Sequence, residues 1–374
     1  MADRAVGYLS LQGTHEGQAA HAHVHEIVAG LKRRGWNVAL FAPTYAAHGT
    51  NPAIRSRLSR FLTTQCLLAR RMRSFGVIYV RLHFASLPTV WFARLFRVPV
   101  VVEVNGTHKD LFLAWPSAKR VGWLLRWAMR YQIRHAVAVI AVTPGLRDWA
   151  TAEGATGPVH VIPNGANSEL FCPGVPPFED TPAPYVAFVG ALAPWQGIDV
   201  MLRATHHPAW PDSTCLVVAG NGDLAPSIAQ ETERNTHVVY LGGVAYRAVP
   251  RLLANALAGV SVQTSPQGRA DTGLYPLKVF EAMSCGIPVI VSDFPGQADL
   301  VREGGCGIVI PPESPADLAK AVAFLHDHPE KRLEMGKKGR ALVESAHSWD
   351  ARAAATAEVL ERVLAKRGRR RRRT

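Results

Sequence analysis

The sequence predicts an α/β protein made of two domains, each a parallel sheet covered by helices on both faces. Twelve short apolar runs alternate with stretches of helical periodicity along the 374 residues, six before position 170 and six after position 184. Strands buried on both faces read as nearly continuous apolar runs, whereas a half-exposed sheet alternates apolar with polar. Between the two series, FCPGVPPFEDTPAP (171–184) is rich in proline and reads as a linker. A chain of this length is long enough for two cores, since domains usually hold ~100–200 residues.

AVGYLSLQG opens the first series. A turn bounded by Gly13 and Gly17 follows it, then a helix to about Arg34. Glycine lets backbone approach a diphosphate closely, although a plain strand-to-helix turn has the same composition. NVALFAP, VIYVRLH, VPVVVEVNG, AVAVIAVTP and PVHVIPNG complete an N-terminal domain over residues 1–170. YVAFVGAL, TCLVVAG, HVVYLGG, GVSVQTSP, IPVIVSD and GIVIPP build the second domain, 185–348. A last helix runs from Trp349 to about Ala365, and the basic 366–374 is expected to be a disordered tail.

Hydrophobic content of 48% with mean hydropathy near zero (+0.03) excludes a disordered chain. No apolar run reaches the ~18 residues of a membrane span, and the N-terminus lacks the pattern of a signal peptide. Five scattered cysteines without metal-ligand spacing point to a reducing cytoplasm and to no metal cluster. The net charge of +13 is uneven: residues 1–180 hold 20 Lys and Arg against 10 acids. That imbalance favours an acidic partner for the first half. Two stretches, 54–74 and 118–135, mix Arg with Leu, Phe and Trp at helical spacing. They suit either peripheral contact with an anionic membrane, at its inner face, or helices covering the sheet with Arg outward. Nothing marks a specific nucleic-acid reader.

The segment GLYPLKVFEAMSCGIPVIVSD (273–293) carries the most chemistry. A loop of Gly273, Leu274, Tyr275 and Pro276 leads into a helix opened by Leu277, whose N-terminal N–H groups and dipole make an anion site. Lys278 lies in its first turn and Glu281 one turn further in. Phosphate and a vicinal diol, the two handles of a sugar nucleotide, match that pair.

The stretch resembles the signature of the retaining glycosyltransferases of family 4, which have the GT-B fold of two Rossmann-like domains with a ligand cleft between them. IPNGANSELF (162–171), YVAFVGALAPWQGIDVML (185–202), VVAGNGD (217–223), VVYLGGV (238–244) and the N-terminal glycine loop with its helix follow that family's order. The resemblance implies that Glu281 grips the nucleotide ribose and that a second Glu stands where this chain has Gly273. Asp271, two residues upstream, is a candidate replacement. It implies a diphosphate contact at Gly190, with Ala191 and Gln196 in place of the family's Arg and Lys. Lys278, with Arg269 second, is left to meet the charge. Asn105 falls where many members have a His that positions the donor sugar, which makes nearby His108 a candidate base beside Glu103 and Gly106.

Glu16, His21 and His25 are weaker acceptor candidates. His21 and His25 share a helix face and His23 points elsewhere, and all three also fit ordinary core or surface histidines. Absence of an Asp-x-Asp triplet agrees with a metal-independent reaction that needs no cofactor beyond a nucleotide-sugar co-substrate. The expected activity is transfer of a hexose from a nucleotide-activated donor to an unidentified acceptor. An epimerase of the same fold and a non-catalytic nucleotide-sugar-binding subunit are the alternatives.

Overall fold

The computed structural model describes residues 4–12, 17–43, 54–179 and 181–371. The chain divides into two compact units: residues 1–163 with 352–374, and residues 164–351. Gly13 and Glu16 lie outside the described residues.

In the first unit six strands form one parallel sheet: β1 (Ala5–Leu9), β2 (Asn37–Phe41), β3 (Val77–Arg81), β4 (Val100–Val104), β5 (Ala138–Ala141) and β6 (Val159–Val161), in the order β2-β1-β3-β4-β5-β6. The second unit repeats the plan with β7 (Tyr185–Val189), β8 (Cys215–Ala219), β9 (Val238–Tyr240), β10 (Gly259–Ser261), β11 (Val289–Ser292) and β12 (Gly307–Ile310), ordered β12-β11-β10-β7-β8-β9. In each sheet the order reverses beside the first strand of the series, and crevices at such points, beyond the strands' carboxyl ends, are where this architecture accepts ligands.

The apolar runs of the second unit resolve into two cores. Val186, Phe188, Leu216, Val218, Val260 and Ile290 face one side with Met201 and Val322. Their chain neighbours Tyr185, Ala187, Val217, Ala219, Val289 and Val291 face the other with Phe280 and Val301. Successive side chains alternate faces, so burying both removes the alternation from the sequence. Polar groups of the strands are then few, and the functional candidates lie at strand ends and on the loops and helices that follow them.

The last helix, Trp349–Arg371, runs on past Ala365, so most of the segment expected as a disordered tail is helical. The five basic residues between 366 and 371 do not stop the helix, because Lys and Arg are good helix formers. From Arg352 onward it belongs to the first unit, where Arg4 Nη2 lies 2.9 Å from Glu361 Oε1 and Arg367 Nη1 donates to Gly76 O at 2.6 Å. No helix among the described residues is long and apolar enough to cross a membrane.

Gly30 sits where this helix crosses Ala19–Arg33, and a Cβ added there would stand 2.4 Å from the Ala353 methyl. Gly30→Val should therefore destabilise the first unit by about 1–3 kcal/mol through overpacking. Ala353→Gly in the same chain should recover part of that loss in a thermal melt.

Candidate functional site

The second unit assembles a polar cluster at the carboxyl end of its sheet. Pro276 occupies the N-cap of the helix Leu277–Ser284 and offers no side-chain hydrogen bond to its first turn. The open N–H groups and the positive end of the dipole are left for an anion. The preceding loop is pinned at two points. Asn164 Nδ2 donates to Tyr275 O at 2.7 Å, and Leu274 N donates to Pro295 O at 2.8 Å. At the helix's other end, Arg340 Nη1 donates to Ser284 O at 2.6 Å and to Phe171 O at 2.7 Å. A cation there satisfies terminal carbonyls and complements the dipole.

Lys278 is half-buried. Its Nζ donates to Gln196 Oε1 at 2.9 Å and lies 3.7 Å from the centre of the Phe188 ring. Gly190, with φ of +149°, passes so close that a Cβ would stand 3.0 Å from that Nζ. A Cβ there would crowd the ammonium and would also sit on a backbone conformation that side chains rarely adopt. Burial lowers the Lys278 pKa to about 7; Glu281 opposes this and Arg269 adds to it. Arg269 Nη1 donates to Gln263 Oε1 at 3.0 Å, with its guanidinium 5.5 Å from the Trp195 ring. It is a second cation beside the first.

Glu281 is only 8% exposed, and Tyr246 donates to its Oε1 at 3.3 Å. Burial raises its pKa to about 7, against the lowering effects of the Tyr246 hydroxyl and of Lys278. Gly273 has φ of +81°, a backbone conformation that side-chain-bearing residues rarely adopt, so a carboxylate there would carry strain. Asp271 is exposed in the turn Pro266–Thr272, and its carboxylate folds back over Gly268. Ala191 is exposed at the same sheet end.

Two family models match the chain. The model of the "Glycosyl transferases group 1" family matches residues 176–342, and that of "Glycosyltransferase Family 4" matches residues 20–170. The chain is a GT-B glycosyltransferase of family 4.

Alpha-maltose-1-phosphate synthase of Mycolicibacterium smegmatis is 27% identical over 92% of this chain and 96% of its own. A GDP-mannose-dependent monoacylated alpha-(1-6)-phosphatidylinositol monomannoside mannosyltransferase of Corynebacterium glutamicum is 26% identical, covering 71% of this glycosyltransferase and 74% of its own chain. Among solved structures, sucrose-phosphate synthase from Thermosynechococcus elongatus has a TM-score of 0.78 at 18% identity, covering 97% of this chain and 100% of that one. HepE of Anabaena, in complex with UDP-glucose, has a TM-score of 0.70 at 18% identity, covering 95% and 99%.

The first unit of this glycosyltransferase holds a second polar cluster, around Glu103 at the end of β4. The carboxylate is 2% exposed; Tyr79 OH and Asn105 Nδ2 donate to it, Arg81 Nη1 donates at 3.1 Å, and His23 Nε2 lies 3.0 Å from Oε1. Burial alone would push its pKa up, but His23, Arg81 and the Tyr79 hydroxyl reverse this and hold it well below the usual carboxylate range. Asn105 is thus held from behind by Glu103 through its amide nitrogen. Tyr79 stacks on Tyr8 at 4.6 Å, and burial raises both phenol pKa values well above the ordinary one.

The other N-terminal candidates fall elsewhere. His108 opens the helix His108–Ala114 behind a Thr107–Asp110 capping box and lies 5.6 Å from Phe112 and 6.3 Å from Trp149, ring to ring. Burial first, then Arg126, lowers its pKa. It packs in an aromatic corner. His21 and His25 stack at 3.8 Å, with His25 exposed and its Nδ1 2.9 Å from His21 O. Gly17 has φ of +92° and open space around it.

Sequence reasoning missed His23, Tyr79 and Arg81 around Glu103, Tyr246 on Glu281, and the grip of Asn164 on the loop. Asn164 had a signal, the IPNG motif. The others come from distant strands or loops whose meeting no local pattern announces.

Glu281 also makes a stability prediction. Its folded pKa lies above the ordinary carboxylate value, so the ligand-free fold holds a proton the unfolded chain has lost. The stabilisation is complete below pH ~4.5 and disappears as pH rises toward 7. Glu281→Gln keeps an acceptor for Tyr246 and removes that dependence. Its thermal midpoint should match wild type near pH 4.5, exceed it increasingly up to pH ~7, then level off at a gain on the order of 2–3 kcal/mol.

Proposed function

We propose that the protein is a retaining, metal-independent glycosyltransferase that moves a hexosyl group from a nucleoside-diphosphate sugar to an acceptor hydroxyl. The observation that carries the reading is the helix Leu277–Ser284. One open N-terminus, one ammonium and one buried carboxylate stand within two turns, matching a diphosphate and a ribose diol. Donors named for similar proteins, GDP-mannose and UDP-glucose, have both features.

Each side chain has a distinct part. Glu281, once ionised, accepts both ribose hydroxyls, and charge-assisted hydrogen bonds in a dry site are the strong kind. The 273–277 backbone and Lys278 take the diphosphate. An incoming diphosphate raises the Lys278 pKa again, so donor binding above pH 7 draws a proton onto that amine. As the sugar–phosphate bond breaks, negative charge grows on the departing nucleotide, and an ammonium already in position strengthens its hold as the barrier is crossed. That role needs no metal, and no cofactor beyond the co-substrate. Asn105, fixed by Glu103, presents its carbonyl oxygen as an acceptor for a sugar hydroxyl; an amide is no general base.

A non-catalytic nucleotide-sugar-binding subunit is favoured by one specific observation. Gly273 brings no carboxylate, and Ala191 and Gln196 bring no charge. The two readings separate in one experiment. Nucleotide sugars are screened by thermal shift, and the stabilising donor is then incubated with candidate acceptors. Release of free nucleotide only with acceptor present supports transfer, and release without acceptor would indicate another reaction. Binding without release would establish the binding subunit. Turnover should be unchanged in excess EDTA; loss restored by manganese or magnesium would refute metal independence.

Variants resolve the roles. Glu281→Ala should abolish measurable donor binding in calorimetry while the fold persists. Lys278→Ala should lower kcat by about 10²-fold with a smaller change in KM, as for other groups that stabilise developing negative charge. Lys278→Arg should recover part of the loss. Near-normal turnover in Lys278→Ala would move the charge-bearing role to Arg269 and the helix dipole.

A further inference from the structure

Three helices of the first unit, Ile54–Arg70, Leu87–Leu95 and Gly122–His135, lie side by side with the middle one packed on both neighbours. Arg94 of the middle helix meets the His135 ring, and Arg73 lies 4.9 Å from the Phe96 ring, which ties the layer together. Inward, Phe61, Leu68, Val90, Ala93 and Ile133 enter the core.

The outward face is not an ordinary solvated one. Trp123 is 75% exposed, Leu95 70%, Trp91 62% and Leu62 59%, with Trp127 and Leu67 about half exposed. Residues 54–135 contain fifteen Lys or Arg and two acids. Of those acids, Glu103 is buried among its partners and Asp110 is engaged in a helix cap. The three helices themselves carry no acid at all. Protein surfaces usually intersperse both signs and keep large apolar side chains apart. On the first helix an open groove of about 570 Å³ has an apolar floor that includes Leu58, Leu62 and Leu67, with Arg55 near one end and Arg70 at the other.

We propose that this face docks on an anionic lipid bilayer, with tryptophan and leucine entering the boundary between headgroups and acyl chains and arginine meeting lipid phosphates. Both halves of the surface are used by that partner. Indole rings favour the headgroup level, apolar side chains gain by leaving water, and each cation near an anionic leaflet adds attraction. Nucleic acid would use the arginines but gains nothing from exposed leucines. A second copy would bring cation against cation across a two-fold interface. The inference stands apart from the enzymatic reading, since it concerns a different face of one unit and its test reads no turnover.

The test is co-sedimentation of the full chain with vesicles of phosphatidylcholine alone and of phosphatidylcholine mixed equally with phosphatidylglycerol, with tryptophan emission recorded in parallel. The expected result is binding to the anionic vesicles with a blue shift, little binding to the neutral ones, and weakening as salt is raised. The paired change Trp123→Ser, Trp127→Ser should reduce partitioning by about tenfold or more. Arg55→Glu with Arg120→Glu should do the same, while circular dichroism of both variants stays that of wild type because all four side chains are exposed. Failure to bind anionic vesicles at low salt would overturn the proposal. So would binding that the tryptophan pair does not affect, a preference for single-stranded oligonucleotide over vesicles, or a self-association that the tryptophan changes dissolve.

Discussion

Lys278 is a cation held where water is scarce, without a carboxylate hydrogen-bonded to it. Its direct contacts are a neutral amide, Gln196, and the face of Phe188. A buried ammonium ordinarily sheds its proton or finds an acid, because desolvation disfavours the charged form. Here the pKa falls to about 7, so the group stands at the edge of ionisation. Much of the second unit's local architecture follows from keeping it there. Gly190 leaves room beside the ammonium, Asn164 ties the preceding loop, and Arg340 caps the far end of the helix. A flexible loop would let Lys278 swing into solvent and recover its hydration. The rigid one keeps it in place, where a pKa of about 7 leaves it partly charged near neutral pH.

The Glu103 cluster in the first unit is the opposite case. That carboxylate is more deeply buried, yet His23, Arg81, Tyr79 and Asn105 surround it. Breaking such a network leaves an uncompensated buried charge, a cost of roughly 3–5 kcal/mol. Glu103 is therefore a positioning group whose ionisation is settled by the fold. Glu281, with one phenol for a partner and a pKa near 7, is a group whose ionisation is settled by what binds. Near neutral pH the pair Lys278 and Glu281 makes its smallest contribution to stability. Glu281 has lost its stabilising proton by pH 7, and Lys278 lacks one that the unfolded chain would hold up to pH ~10.

Much of the fold was legible because its physics is local. Each strand is buried on both faces, so its apolar run announces it without reference to any other segment, and all twelve runs became strands. The helix Leu277–Ser284 was equally plain, since its proline entry and Cys285–Gly286 exit lie within a few residues of its core. Legibility failed where a role depends on residues far apart in the chain. His23 and Glu103 are eighty positions apart, and nothing in the helix periodicity says that the middle histidine of three is the one that turns inward to an acid. His108 follows Asn105 closely in the chain, and its nearness to Phe112 and Trp149 is not written in that spacing. The basic end of the chain misled in another way: a run of arginines reads as solvated tail, yet the same residues propagate the helix that precedes them.

Gly273 links the chain's departure from its family to the backbone. A lost carboxylate at that position could in principle be a simple replacement, reversible by one substitution. With φ at +81° it is not, because a glutamate there would have to adopt a conformation that only glycine takes without strain. The loop has settled into a path on which Leu274 bridges to Gly296 and Tyr275 presents its carbonyl to Asn164. On the function proposed above, donor-sugar contacts come from groups that the same path presents, chiefly the 273–277 backbone and Lys278. Backbone N–H groups and an ammonium are donors only, so this region of the site suits the oxygen-rich faces of a diphosphate and of a sugar that accepts hydrogen bonds. A partner that needs an acceptor in return has Glu281 within one turn. On that reading, one short helix without the second carboxylate offers both polarities that a nucleotide sugar requires.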